Sequence, residues 1–340
     1  MVTIEQVDLQ RYEVTSPLGS GADYQARAAI DRTTGKQVVL KRPVPQMIQH
    51  QLHTAIEART DRILQVYQEV GYTIPTMIPI VGYTDRTNHD AYFGDALGQP
   101  YRVIVEERAV GIPLMAELKA RFTGVPIGVG QNLFALFPLV QPDGLAPFAI
   151  HQQLLDLEEA FFHAGYIFLD LRPHNIFYQP ASGRLTIIDC GAVQRVSERS
   201  GNRQADLHDF YLEMLQFYTT PQSPPPQANK YREPHGLQPI VNVERALDQL
   251  AQQFTAAANQ EVRQAALTMI NQVRQRGYAT FADFRHDLMA YLAVVHSAHQ
   301  AVPPLAEARQ AWAEALQWLR AAYWRRYLFD PEAELAAFTC

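Results

Sequence analysis

The segment Tyr166–Gly191, YIFLDLRPHNIFYQPASGRLTIIDCG, decides the fold class of this 340-residue chain. Its apolar runs are separated by turn-forming residues and predict three short strands: Tyr166–Leu169, Ile176–Tyr178 and Leu185–Ile188. Asp170 and Asn175 fall in the loop between the first two strands, five residues apart. Asp189 follows the third strand and precedes a glycine. Polar side chains that could carry chemistry are therefore gathered at strand ends.

Upstream of this segment, the pattern predicts strands around a single helix. The expected strands are Tyr12–Leu18, Tyr24–Asp31, Gln37–Arg42, Met77–Tyr83 and Tyr101–Arg108. Apolar residues near helical spacing predict an amphipathic helix over Gln46–Glu69. A turn at Gly19-Ser20-Gly21 separates the first two strands, and Lys41 ends the apolar run of the third.

Downstream, the pattern becomes helical. Helices are expected at Phe148–His163 and Asp206–Phe217, and Thr219–Pro239 is a loop rich in Pro, Gln and Ser. A β-rich part with one helix followed by an α-rich part predicts an α+β protein of two lobes. The expected division is 1–108 for the N-lobe, 109–300 for the C-lobe and 301–340 for a helical tail.

Composition excludes several classes of protein. Hydrophobic residues make up 47% and charged residues 19%, a balance that supports a buried core and argues against a disordered chain. The net charge of −6 argues against a partner that is a nucleic acid. The two cysteines, Cys190 and Cys340, are too few for a disulfide framework or a cysteine-based zinc site. Met1–Gln10 lacks an apolar signal segment, and the uncharged stretch Phe122–Pro142 contains too many prolines and polar residues to span a membrane. We therefore expect a cytoplasmic protein.

Lysine is scarce. Of the 29 basic residues, only Lys36, Lys41, Lys119 and Lys230 are lysines. A lysine at position 41, in a chain that otherwise uses arginine, indicates a place where a compact point charge is needed.

The order and spacing of these motifs resemble the eukaryotic-type Ser/Thr protein kinase superfamily, as a divergent member, over Tyr12–Val295. The resemblance implies a bilobal fold that binds ATP and Mg²⁺. Gly19 and Gly21 would let the backbone approach the phosphates, and Lys41 would contact them. Glu57, on the predicted helix, is the candidate partner of Lys41.

The same resemblance implies roles for the residues of the opening segment. Asp170 would accept the proton of the attacking hydroxyl, and Arg172 would contact the transferred phosphate. Asn175 and Asp189 would bind Mg²⁺. The expected adenine-binding positions are Ala26, Val39, Val105, Glu106, Arg108 and Phe177, with Val105 at the back of the pocket and the backbone at Glu106 and Arg108 contacting the base. Asp206 resembles the buried acid that braces the catalytic loop.

The sequence departs from the family pattern at several positions. Leu169 stands where an arginine would pair with a phosphorylated activation loop. Asp206 follows Asp189 by only 17 positions, which leaves little room for the segment that binds a peptide. Cys190 replaces a phenylalanine, and Tyr24 stands at the third glycine position.

The sequence therefore predicts a Mg²⁺-dependent ATP phosphotransferase that acts on a hydroxyl, with a protein as the first candidate acceptor. A kinase for a small molecule and a pseudokinase that binds nucleotide or partners are the alternatives. Aromatic and basic residues of the tail form a candidate partner surface: Trp312, Trp318, Trp324, Arg325 and Arg326.

Overall fold

The computed structural model describes residues 4–21, 24–44, 56–70, 74–113, 149–168, 175–179, 182–190, 193–196, 201–219, 243–255, 259–275, 277–300, 330 and 332–333. It confirms a mixed α+β chain. The chain divides into two compact units. The first contains Met1–Val110 and Thr186–Ala192, and the second contains Gly111–Leu185 and Val193–Cys340.

An antiparallel sheet of five strands forms the first unit. Its strands are β1 (Tyr12–Ser20), β2 (Tyr24–Asp31), β3 (Gln37–Pro43), β4 (Ile80–Tyr83) and β5 (Ile104–Glu107). They lie in the order β1-β2-β3-β5-β4, so β3 and β5 are neighbours although 60 residues of chain separate Pro43 from Ile104. Helix α1 (Ile56–Val70) belongs to the same unit.

Because side chains alternate between the two faces of the sheet, one face is apolar and buried, and we call it the closed face. Val38, Leu40 and Val105 lie in a buried cluster with Leu9, Tyr12, Ala29, Phe93, Tyr101 and Val103. Successive residues of a strand point to opposite faces, so the residues between these core positions point the other way. Lys41 and Val39 lie on that second face, which carries the candidate site.

The turn between β2 and β3 is built around Asp31. Its carboxylate accepts hydrogen bonds from the Thr33 amide at 2.9 Å and the Thr34 hydroxyl at 2.8 Å. Gly35 adopts φ +70°, and its amide donates to the Asp31 carbonyl at 2.7 Å. Glycine meets this left-handed conformation without a Cβ clash, and the turn thereby sets the register of β2 against β3.

The second unit is mainly helical. Its helices are α2 (Ala149–His163), α3 (Arg203–Tyr218), α4 (Val243–Thr255), α5 (Gln260–Arg274) and α6 (Phe281–Gln300). The short strands β6 (Ile112–Pro113), β8 (Ile176–Gln179) and β9 (Arg184–Ile187) form one sheet, while β7 (Tyr166–Phe168) pairs with β10 (Val193–Arg195). The last two residues of β9 belong to the first unit.

Aromatic contacts hold the helices of the second unit together. Phe210 stacks on Phe162 at 5.8 Å between ring centroids, and Tyr211 contacts Phe284 at 5.2 Å. Asn202 begins α3 by accepting hydrogen bonds from the amides of Gln204 and Ala205, which satisfies two donors at the helix terminus. Large rings that bury much area dominate the energy of such a core.

Several predicted bounds differ from the structure. Strand β4 begins at Ile80, and Met77 forms only an isolated bridge with Ile187. Strand β5 begins at Ile104, because Tyr101 instead pairs with Thr87 in a separate bridge.

The unit division also differs in detail from the sequence-based one. It falls after Val110, and it assigns 186–192 to the first unit. The stretch 122–142 and all five aromatic and basic residues proposed for the tail surface lie outside the described residues. No helix among the described residues is long and apolar enough to cross a membrane.

Candidate functional site

Lys41 lies near the end of β3, on the face opposite the closed core. The register places Ala26 of β2 and Ile104 of β5 directly across from it. Val39 lies two residues back on the same face, and Glu106 of β5 lies opposite Val39. The sheet therefore brings a lysine and a glutamate together on one surface with small apolar side chains.

Lys41 forms two ion pairs. Its Nζ lies 3.3 Å from Oε1 of Glu106 and 3.1 Å from Oδ1 of Asp189. The side chains of Lys41 and Glu106 are 10% and 6% exposed, whereas that of Asp189 is 32% exposed. We call Lys41, Glu106 and Asp189 the charged cluster. A buried ammonium between two carboxylates, one of which reaches solvent, is an arrangement that can receive an anionic ligand together with a cation.

Backbone hydrogen bonds hold Asp189 beside the sheet although it follows Lys41 by 148 residues. The Ile187 amide donates to the Thr76 carbonyl at 2.7 Å, and the Ile78 amide donates to the Ile187 carbonyl at 3.0 Å. Asp189 itself adopts φ +61°, and it is the one described residue other than glycine with a positive φ. This left-handed conformation is uncommon for a side chain with a Cβ and is found preferentially at functional sites.

Tyr24 covers the lysine. The Lys41 ammonium lies 5.3 Å from the centre of the Tyr24 ring, within the range of a cation–π interaction. The Tyr24 hydroxyl shares a hydrogen bond of 3.2 Å with the Thr60 hydroxyl of α1. Both residues are buried, at 5% and 1% exposure. The residue at the third glycine position thus connects β2 to α1 and shields the charged cluster.

The ionisation of the cluster follows from its burial and its charges. Burial lowers the pKa of Lys41, but the Asp189 and Glu106 carboxylates outweigh it and hold that pKa above its ordinary value. Burial raises the pKa of Glu106, and the attraction of Lys41 opposes this only in part. Lys41 is therefore charged at neutral pH, and Glu106 depends on it as a counter-ion.

Cys190 is a buried neighbour of the cluster. It is 1% exposed, and its thiol lies 3.5 Å from the Ile187 carbonyl and interacts with the Tyr67 hydroxyl. Burial raises the pKa of the thiol well above its ordinary value. A protonated and inaccessible thiol fills space next to Asp189 and does not act as a nucleophile.

The turn at the end of β1 has the glycine-dependent geometry that the sequence predicts. Gly19 adopts φ +146°, which favours glycine. The Gly21 amide donates to the Tyr24 carbonyl at 2.9 Å and closes the β1–β2 hairpin. This hydrogen bond uses one of the amides that the resemblance would direct toward phosphate.

The expected adenine-binding residues of the first unit separate into two groups. Ala26 and Val39 are half-buried and share the face of Lys41. Val105 does not share this face, because the register of β5 places it in the closed core, and the side chain beside Lys41 is that of Glu106, one residue later. A shift of one residue along a strand exchanges the two faces, which is why the sequence alone misplaced this position.

The Arg108 amide, which was expected to contact the base, donates a hydrogen bond within the sheet region instead. The Glu107 amide donates to the Pro79 carbonyl at 3.0 Å, and the Arg108 amide donates to the Gln37 carbonyl at 3.3 Å. Adenine binding by the Arg108 amide would require that this hydrogen bond be broken.

The remaining predicted residues belong to other parts of the chain. Asn175 and Asp206, both in the second unit, are buried at 4% and 0% exposure, and Phe177 lies in β8 at 9% exposure. Asp170 and Arg172 lie outside the described residues. Glu57 is in α1, but its side chain is outside the described part of the structure.

Of the two residues expected to bind Mg²⁺, Asp189 lies in the first unit and Asn175 in the second. No group of three or more His, Cys, Asp or Glu side chains suited to a metal occurs among the described residues. Mg²⁺ bound to a nucleotide, however, typically uses one or two carboxylates together with phosphate oxygens and water. Asp189, one-third exposed and with one oxygen beside Lys41, fits that requirement.

Sequence reasoning missed two members of this site. Glu106 was expected to act through its backbone, and Tyr24 was expected only as a departure from the glycine pattern. The register of β3 against β5 places Glu106 on the same face of the sheet as Lys41.

Comparisons with known proteins do not assign this chain to a family. A scan of protein-family models and a search of curated proteins each found no match.

Proposed function

We propose that this protein is a Mg²⁺-dependent ATP phosphotransferase with a protein-kinase-like fold, which transfers the γ-phosphate to the hydroxyl of a protein acceptor. The observation that carries the proposal is the contact between Lys41 and Asp189 within the first unit. These two residues were singled out from sequence motifs 148 residues apart, one as a phosphate contact and one as a metal ligand. They lie 3.1 Å apart beside Ala26 and Val39, which were expected to contact adenine.

The chain's own residues supply what phosphoryl transfer needs. Lys41 provides a positive charge in a shielded environment, where its attraction for phosphate oxygens is stronger than in water. The half-buried Ala26 and Val39 provide an apolar surface of the kind on which a planar base can stack. Positioning and electrostatics are the main sources of catalysis in this reaction, so a fixed cluster suits it.

Mg²⁺ fits the remaining charge of the cluster. Lys41 neutralises one carboxylate, so the pair of Glu106 and Asp189 retains one negative charge. When bound, Mg²⁺ would neutralise the charge on the phosphate oxygens. Asp189 is the residue of the charged cluster that would hold it, while the roles of Asp170, Arg172 and Asn175 remain predictions from the resemblance.

A labelling experiment tests the proposal. ATP labelled at the γ-phosphate is incubated with Mg²⁺ and either a dephosphorylated protein extract or a pool of small metabolites. We expect label in protein with the wild type and at least about a hundredfold less with Asp189→Asn, because the variant keeps the shape of the side chain and loses its charge. Label confined to metabolites, or transfer unchanged in Asp189→Asn, would overturn the proposal in its acceptor or in its site.

One observation favours a second function, that of a module that binds nucleotide without transferring phosphate. The Tyr24 ring lies over the Lys41 ammonium, and the Gly21 amide is engaged in the hairpin, so two phosphate contacts expected of a kinase are occupied by the chain itself. Binding of ATP without any loss of its γ-phosphate over hours would favour this function. Turnover that Lys41→Met abolishes would exclude it.

A further inference from the structure

We propose that Glu106 is the positioning residue of Lys41, and that the pairing of strands β3 and β5 brings the two side chains together. This role in ATP binding rests on the proposed function. The contact between Lys41 and Glu106 is a feature of strands β3 and β5 and is independent of that function. The resemblance assigned this role to Glu57.

The sheet fixes the distance between the two side chains. Lys41 is opposite Ile104, and Glu106 is opposite Val39, so Lys41 and Glu106 are diagonal neighbours on one face of an antiparallel pair. Long side chains at diagonal positions can contact each other, and Nζ of Lys41 lies 3.3 Å from Oε1 of Glu106. Both backbones are held by the central strands of the sheet, so neither partner depends on the placement of a helix.

Burial makes the pair obligatory for Glu106. The residue is 4% exposed, and among the described residues Lys41 is the cation beside its carboxylate. A buried carboxylate without a counter-ion is strongly unfavourable, so the charge of Glu106 favours a position of the Lys41 ammonium beside its carboxylate.

The two carboxylates of the cluster differ in a way that separates their roles. Glu106 is nearly inaccessible, whereas Asp189 is one-third exposed and comes from a segment outside the sheet. Glu106 is therefore suited to hold Lys41 in place. Asp189 is suited to leave Lys41 and to bind a cation when a ligand enters the site. With Glu106 in place, Lys41 keeps its position while Asp189 exchanges.

The neighbouring residue offers a matched control. Glu107 also pairs with a lysine, Lys36, at 3.3 Å. The pair is at the surface, with side chains 36% and 67% exposed. Glu107→Gln is thus the same substitution, one residue away on the same strand, at a lysine pair outside the cluster.

The test compares ATP with adenosine as ligands in isothermal titration calorimetry with Mg²⁺ present. Glu106→Gln should weaken ATP binding about tenfold, since a charge-assisted contact to phosphate loses its alignment. Adenosine binding should remain within about twofold, because adenosine lacks the phosphates that Lys41 contacts. Glu107→Gln should change neither affinity. A purely structural role for Glu106 would weaken both ligands together and would overturn the proposal, as would a larger loss of ATP affinity in Glu57→Gln than in Glu106→Gln.

A second readout does not need nucleotide. Lysine acetylation by acetic anhydride, followed by mass spectrometry, reports how freely each ammonium reaches solvent. Lys41 should react several times faster in Glu106→Gln than in the wild type, and Glu107→Gln should leave Lys41 unchanged. Unchanged reactivity of Lys41 in Glu106→Gln would overturn the positioning role. If the wild type binds no nucleotide while this reactivity rises, the proposed function fails and the positioning role stands.

Should Glu106→Gln fail to fold, as judged by circular dichroism, Glu106→Asp provides the second variant. It keeps the charge but shortens the side chain by one methylene. The same two measurements apply to it, and ATP affinity and Lys41 reactivity equal to those of the wild type would count against the proposal.

Discussion

Lys41 and Arg42 are consecutive residues of β3, and they make opposite uses of a buried positive charge. They are 8% and 2% exposed, each pairs with two acidic residues, and each lies over an aromatic ring. Because a strand directs successive side chains to opposite faces, Lys41 lies on the face of the candidate site and Arg42 on the closed one.

Arg42 is a structural clamp for the loop between β4 and β5. Its guanidinium donates to Asp90 at 3.2 Å, to the Asp95 carboxylate at 2.5 Å and to Gln25 at 2.6 Å. The Phe93 ring lies 4.8 Å from its central carbon. The planar fork of arginine suits this divergent set of acceptors, which joins Gln25 of β2 to Asp90 and Asp95 of the loop and holds that loop against the sheet.

Lys41 instead offers a point charge to partners that come from distant parts of the chain. Its second carboxylate, Asp189, lies outside the five-stranded sheet and is 32% exposed. The partners of Arg42 lie in that sheet and in the loop between β4 and β5, where Asp95 is 67% exposed. Two cations of the same strand with similar burial thus differ in where their partners come from. The face of the sheet and the origin of the partners, rather than the burial of the cation, distinguish the candidate site from the clamp.

The largest expected effect on stability is at the clamp. Arg42→Met should lower the free energy of unfolding by about 3 kcal/mol, because it removes the hydrogen bonds that Arg42 donates to Gln25, Asp90 and Asp95, each worth about 1 kcal/mol. Urea denaturation followed by circular dichroism measures this loss. Arg42→Lys should recover only part of it, since an ammonium lacks the fork.

The clamp would be contradicted if Arg42→Met were as stable as the wild type. Where it is folded, Arg42→Met should bind ATP with the same affinity as the wild type. A selective loss of ATP affinity at full stability would remove the distinction between the two cations.

A smaller effect is expected at the residue that covers Lys41. Tyr24→Phe keeps the ring over the ammonium and removes the hydrogen bond to Thr60, which should cost about 1 kcal/mol of unfolding free energy. Tyr24→Leu removes the ring as well and should increase the acetylation of Lys41. Equal acetylation in Tyr24→Leu and Tyr24→Phe would show that the ring does not shield the lysine.

The smallest effect concerns an ion pair at the edge of the sheet and appears as a dependence on pH. Arg11 lies 2.6 Å from Asp31, and this hydrogen bond holds the pKa of Asp31 well below its ordinary value. A lowered pKa stabilises the folded protein above the ordinary aspartate pKa of about 4, and the stabilisation is lost as the pH falls toward the lowered pKa.

Asp31→Asn should therefore be less stable than the wild type at pH 7, and the difference should shrink as the pH falls below about 4. Thermal unfolding across this range measures it. A difference that stayed constant with pH would mean that the charge of Asp31 contributes nothing beyond its hydrogen bonds to the turn.

Much of the first unit was predictable from sequence, because its elements depend on local patterns. The bounds of β2 and the starts of β1 and β3 agree with the prediction, since the alternation of apolar and polar residues determines them. The pairing of Lys41 with Glu106 was not predictable in this way. It depends on the register of β3 against β5, which long-range packing sets and no local pattern reports.

The position of Asp189 shows the same limit. The sequence marked it as an acid after a strand, but its contact with Lys41 depends on a bridge between Met77 and Ile187. The residues on either side of that bridge carry no signal for it. The orientation of Tyr24 toward Thr60 likewise results from packing between a strand and a helix.

The most direct test of the central claim is the affinity of the folded protein for Mg²⁺–ATP, measured by isothermal titration calorimetry in the wild type and in Lys41→Met. We expect saturable binding at one site in the wild type. We also expect a loss of at least about tenfold in Lys41→Met, with unfolding still cooperative in circular dichroism. No saturable binding of ATP to the folded wild type, or equal binding by Lys41→Met, would contradict the assignment of the charged cluster as a nucleotide site.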